Sequence, residues 1–132
     1  MEDRSREGRK HVFVINGEPA FLDVVRALFQ DASYNVTTST YVPNSFAQIA
    51  ALRPDALIVD VVAGQAAGWE LLERLHAEAA TAGIPVLVVS TSPRLLERAR
   101  EQAGRYGTNR YLDKPFDVAA MLAHVRDMIG EA

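Results

Sequence analysis

The sequence predicts an α/β domain, a parallel sheet with helices wound onto both faces. Three observations predict it. Two runs, Ala56-Leu-Ile-Val59 and Ile84-Pro-Val-Leu-Val-Val-Ser90, are apolar at nearly every residue rather than every second one. Such runs read as strands buried on both faces. Between the strand-like runs lie stretches with apolar residues at helical spacing, so strands and helices alternate along the chain. Gly, Pro, Asn or Ser punctuate most of the joints, as in Asn16-Gly-Glu-Pro19 and Ser92-Pro93. The 132 residues suffice for one domain with its own core and are too few for two.

The elements follow in order. Met1 to Lys10 mixes both charges with Ser and Gly and is expected to be a disordered tail, which leaves 11–132 as the folded domain. His11 to Ile15 is the first buried strand, and Asn16-Gly17-Glu18 breaks it. Pro19 suits the first turn of the helix that follows, whose apolar stripe is Phe21, Val24, Val25, Leu28 and Phe29. Asn35 to Ser39 is a Thr-rich strand suited to an edge. Pro43 to Leu52 reads as a short helix with Phe46, Ile49, Ala50 and Leu52 inward, ended by Arg53-Pro54. After the third strand and a loop, Trp69 to Ala80 is a helix with Leu71, Leu72 and Leu75 toward the sheet, and Gly83 closes it. Pro93 to Ala103 follows the fourth strand, with Ser92 as its cap and Arg and Glu on its outer face. The last strand lies in the stretch Arg110 to Phe116 and ends on Lys114, and Asp117 caps a final helix carrying Met121, Leu122, Val125 and Ile129. Five strands alternating with five helical patterns give a doubly wound sheet, expected in the flavodoxin-like order 2-1-3-4-5.

Composition narrows the function. A hydrophobic content of 48% and a charged content of 23% are those of an ordinary globular protein. The net charge of −3 gives no reason to expect a nucleic-acid surface. There is no cysteine, so neither disulfide nor thiolate chemistry is available. No stretch approaches the length of a membrane span, and the expectation is a cytoplasmic protein with no membrane partner.

The chemistry gathers at strand ends. The third strand ends on Asp60, the fourth on Ser90 and the fifth on Lys114. Alone, an acid at a strand end reads as the cap of the next loop. In a parallel sheet, however, all three share the carboxyl edge, where open α/β sheets bind ligands. A carboxylate, a hydroxyl and an ammonium together can accept a phosphoryl group, the first attacking and the others holding its oxygens.

These motifs carry a resemblance. Pro54-Asp-Ala-Leu-Ile-Val-Asp60, Gly68 eight residues on, Ile84 to Ser90 and Lys114-Pro-Phe116 resemble those of the response-regulator receiver domain of two-component signalling. The resemblance runs from about Lys10 to Gly130. It implies that Asp60 is the phosphoacceptor, that Ser90 and Lys114 contact the phosphoryl oxygens, and that Ser90 and Tyr111 form the switch. Tyr111 reads equally as a half-buried strand tyrosine. The resemblance also implies magnesium, a sensor histidine kinase or phosphotransfer protein as phosphodonor, and a cis Lys114–Pro115 bond. It implies no enzyme in its own right.

The loop after the first strand departs from the pattern. Asn16 and Gly17 stand where the family carries its acidic pair, and Glu18 follows them. Asp60, the backbone carbonyl of Val62 and the amide oxygen of Asn16 remain as metal ligands, so magnesium is expected to bind weakly or not at all. In its place, Lys114 is expected to pair directly with Asp60. Two readings stay open, an impaired phosphoacceptor and a phosphate-independent interaction module. A flavin site would need a longer hydroxyl-rich turn after the first strand, and no G-x-G-x-x-G follows it. A dehalogenase-type phosphatase would need an acid at Val62. One turn of chain follows the final helix, so the domain is read as stand-alone. It would then act through a downstream protein or a homodimer, on the face formed by Pro93–Ala103, Tyr111 and Asp117–Gly130.

Overall fold

The computed structural model describes residues 9–40, 45–60, 67–90, 94, 97, 101, 109–113 and 118–130; at 67–69, 109–111 and 113 it describes the backbone alone. The strands are β1 (His11–Ile15), β2 (Asn35–Ser39), β3 (Ala56–Asp60), β4 (Val86–Ser90) and β5 (Asn109–Asp113). The helices are α1 (Pro19–Asp31), α2 (Ser45–Leu52), α3 (Ala67–Ala77) and α4 (Val118–Ile129). Arg94, Glu97 and Glu101 are helical and exposed, and the rest of the expected helix Pro93–Ala103 lies outside the described residues.

All five strands are parallel, in the order β2-β1-β3-β4-β5. This is the order that the alternating pattern predicts. The period-2 geometry of a strand sends successive side chains to opposite faces. On one face Phe13, Ile15, Leu57, Val59, Val86 and Val88 pack with Ile49 of α2 and Leu71, Leu72 and Leu75 of α3. On the other, Val12, Val14, Ile58, Leu87 and Val89 pack with Leu22, Val25 and Phe29 of α1 and Met121, Leu122 and Val125 of α4. The continuous apolar runs exist because both faces of the sheet are covered.

The helix stripes need two corrections. Val24 is 54% exposed, and Leu22 takes its place in the core. Leu22, Val25 and Phe29 share one face of α1, whereas Val24 stands about 100° round from Val25. Leu52 is 48% exposed, in the last turn of α2 before Arg53 turns the chain away with a left-handed backbone (φ 49°). The third helix also stops earlier than Ala80. The chain leaves it after Ala77, and the buried Thr81 donates its hydroxyl to the Leu75 carbonyl at 2.6 Å, occupying a helix-end acceptor. The fifth strand ends at Asp113, and Lys114 to Phe116 lie outside the described residues, as does the expected cis bond.

The α1 end is closed by a Schellman motif. Ser33 N–H donates to the Gln30 carbonyl at 2.9 Å and Tyr34 N–H to the Phe29 carbonyl at 3.0 Å. Tyr34 and Phe29 then pack with ring centroids 5.9 Å apart and planes tilted by 45°, the apolar contact that accompanies this motif. The start of the fold is tied down as well. Residues 1–8 lie outside the described residues, but Lys10, expected in the tail, is bonded into the domain. Its carbonyl accepts from Asn35 N–H at 2.9 Å and its ammonium donates to the Ile129 carbonyl.

Candidate functional site

The carboxyl edge is built by strand register. Ile15 stands opposite Val59, so Asn16 follows β1 beside Asp60, the last residue of β3. Asp60 stands opposite Val89, one residue before Ser90, and Ser90 stands opposite Asp113. Adjacent strands lie about 4.8 Å apart, so Asn16 and Ser90 each stand one strand away from Asp60, on either side of it. Asp60 is half-buried with its Oδ1 shut off from solvent, and Ser90 is fully buried. The three sequence-predicted positions that fall in the described residues are thus brought together. Val62, Lys114 and its expected pairing with Asp60 lie outside the described residues, and so does the side chain of Tyr111.

Asn16 has a role that its residue type alone did not reveal. It is 4% exposed. Its backbone N–H extends the β1–β2 ladder to the Ser39 carbonyl at 3.1 Å. Its side-chain Oδ1 accepts the N–H of Glu18 at 2.9 Å, closing an Asx turn that aims the chain into α1. Pro19 then opens that helix with φ already set. The signal was present in the sequence, an Asn followed two residues on by a helix start. Gly17 offers no side chain, and Glu18 is exposed with no side-chain cap bond.

This donor set is poor for a hard cation. Magnesium wants near-octahedral oxygen and is usually held by one or two carboxylates plus phosphate oxygens. Among the described residues the edge offers the Asp60 carboxylate and an Asn16 oxygen already accepting a hydrogen bond. No group of three or more His, Asp or Glu among the described residues is arranged to hold a metal ion. The described residues therefore do not fit the family's metal site as it is usually built.

The opposite, amino edge carries a different feature. A polar concavity of about 840 Å³ opens there, bordered by Arg9, His11, Gln30, Asn35, Thr37 and Asp55. His11 Nε2 lies 2.7 Å from Thr37 Oγ1, and Asp55 Oδ2 accepts the His11 backbone N–H at 2.7 Å. Burial pushes the His11 pKa down, and the nearby Asp55 charge offsets part of that.

Comparison with known proteins decides the family. Residues 12–126 match the response regulator receiver domain. The chain belongs to the response-regulator receiver family. A DNA-binding dual master transcriptional regulator, RpaA of Synechocystis, is 30% identical over 118 residues, 89% of this chain and 48% of that protein. Protein PilH of Pseudomonas aeruginosa is 22% identical and is covered over 97% of its length. The chain spans about half the length of the first curated relatives it matches. Among solved structures, chemotaxis protein CheY4 of Vibrio cholerae superposes with a TM-score of 0.76 at 22% identity, covering 92% of this chain and 99% of that one. The receiver domain of a Pseudomonas aeruginosa sensor histidine kinase, solved with magnesium in its active site cleft, gives a TM-score of 0.75 at 21% identity, over 94% of this chain and all of that one. The receiver's flavodoxin-like fold is thereby established, and receiver domains are signalling modules. No helix among the described residues is long and apolar enough to cross a membrane.

Proposed function

We propose that this receiver accepts a phosphoryl group on Asp60 from a sensor histidine kinase or a phosphotransfer protein. The observation that carries the reading is the register of Asp60 beside Ser90 at the carboxyl edge. A carboxylate oxygen of Asp60 attacks phosphorus, the P–N bond of a phosphohistidine breaks, and the leaving imidazole keeps the electron pair and is protonated. Ser90 and Lys114 hold the phosphoryl oxygens, and Ser90 with Tyr111 passes the change on. Asp60, the Val62 carbonyl and Asn16 would hold magnesium, weakly, and the ion would supply charge neutralisation. The modified domain then engages a downstream protein or a second copy through Pro93–Ala103, Tyr111 and Asp117–Gly130, and substitutions at Arg98, Arg100 or Tyr111 weaken that association.

The test is labelling with an acyl phosphate, with and without magnesium. The expected result is slow, weakly magnesium-dependent modification that Asp60→Asn abolishes. No modification of the unaltered protein would leave the second reading, a receiver that binds partners without phosphate. That reading is favoured by the hydrogen bond that engages the Asn16 oxygen and by the absence of a side chain at Gly17.

A further inference from the structure

The outer edge of β2 is one end of the sheet, because the order begins β2-β1. Hydrogen-bond parity along this strand follows from two bonds. Asn35 N–H reaches inward to the Lys10 carbonyl, and the Ser39 carbonyl accepts from Asn16 N–H. Residues 35, 37 and 39 therefore face β1, and Val36 and Thr38 turn both N–H and C=O outward. Among the described residues these four groups have no backbone partner. Of the two residues, Val36 borders the amino-edge concavity.

Natural edge strands are guarded by charges, prolines or bulges. The residues of this strand supply none of these, but the Arg26 guanidinium of α1 reaches it and donates to Thr38 Oγ1. Between Asp31 and Arg53 no residue is charged, and the strand itself is Asn-Val-Thr-Thr-Ser. We infer that β2 pairs antiparallel with β2 of a second copy of this chain, about a two-fold axis through Thr37. In that register Val36 exchanges both bonds with Thr38 of the partner subunit, and Thr38 does so with the partner's Val36. All four outward groups of each copy are satisfied within the strand, and shifting the axis by one residue would leave some of them to loop residues. The strand's own residues set no like charge against themselves, while the Arg26 guanidinium held on each Thr38 keeps the association weak. Two five-residue strands alone fall short of a standard interface, so the dimer is weak and concentration-dependent. This face is separate from the one proposed for partner engagement, and the pairing does not require phosphate on Asp60.

The experiment is sedimentation across micromolar to millimolar concentration, with amide exchange read at Val36 and Thr38. The unaltered protein is expected to dimerise, with both amides protected only at high concentration. Thr38→Pro removes an outward donor where an edge strand tolerates proline, and Thr37→Lys places like charges across the axis; both are expected to leave monomers. A monomer at millimolar concentration, or a dimer whose Val36 and Thr38 amides stay labile, overturns the inference. So does a dimer untouched by either variant. If a variant fails to fold, the exchange data on the unaltered protein still decide.

Discussion

Asn16 gives the site its character at the scale of one residue. Its oxygen turns the chain where the family places a metal-binding acid, so local folding and metal binding compete for one side chain. Aspartate at this position keeps the turn, because a carboxylate accepts the same Glu18 N–H. At Gly17 an added Cβ would meet nothing within 4 Å, so an acid there has room. The double variant Asn16→Asp, Gly17→Asp is expected to bind magnesium at least about tenfold more tightly by calorimetry, ~1.4 kcal/mol. Equal affinity in both proteins would place the weakness elsewhere. His11 gives a pH-dependent signature of its own. Burial lowers its pKa in the fold, so the unfolded chain takes up the proton first as pH falls. Its contribution is full above the ordinary histidine value of about 6.5 and is lost as pH drops from there through the lowered folded value. Denaturation midpoints measured across that window should fall with pH, and His11→Gln should flatten the slope.

Helix ends decide stability at the scale of elements. Ser33 holds φ 73° at the position where a Schellman motif ordinarily has glycine. Ser33→Gly relieves that strain at the expense of a more flexible unfolded chain. The expected net gain is about 0.5–1 kcal/mol, read as a rise of a few degrees in melting temperature. The far end of α4 is held from two directions. Tyr34 Oη donates to the Gly130 carbonyl at 2.6 Å, and the Lys10 ammonium to that of Ile129. Tyr34→Phe keeps the buried ring and deletes the bond, with an expected loss of about 1 kcal/mol. Amide exchange in the last turn of α4 should speed up, whereas exchange in β3 should change only by the global stability difference. The sequence showed Tyr34 as the residue before a strand and nothing more. Its partner stands ninety-six positions away, and no local pattern encodes such a pair.

The sheet was legible at the scale of the whole molecule for a physical reason. Strands covered on both faces must be apolar throughout, and His11–Ile15 and Ala56–Asp60 fall at the residues where the sequence pattern set them, as does the Thr-rich edge strand Asn35–Ser39. Their parallel order follows from the helices between them. The helix faces were less legible, since Val24 and Leu22 are equally apolar and only the sheet beneath selects Leu22. Of the site, Asp60 and Ser90 were legible as strand ends, and the loss of the acidic pair was legible as Asn16 and Gly17. The Asx turn had a local signal, Asn16 two residues before the helix cap Glu18, but Asn16 was weighed as a metal ligand and not as a turn former. The edge parity of β2 was also hidden, because it needs the register against β1.

The contact between Lys10 and Ile129 has a practical consequence. It brings the beginning and end of the domain together at the amino edge, while Asp60 and Ser90 stand at the carboxyl edge. A short flexible splice could therefore close residues 9–130 into a ring without pulling on the phosphoacceptor. The chain could then be reopened at the exposed Gly83 to give a circular permutant. Labels or tethers attached at residue 9 or residue 130 would likewise lie at the amino edge, leaving Asp60 open to an approaching donor.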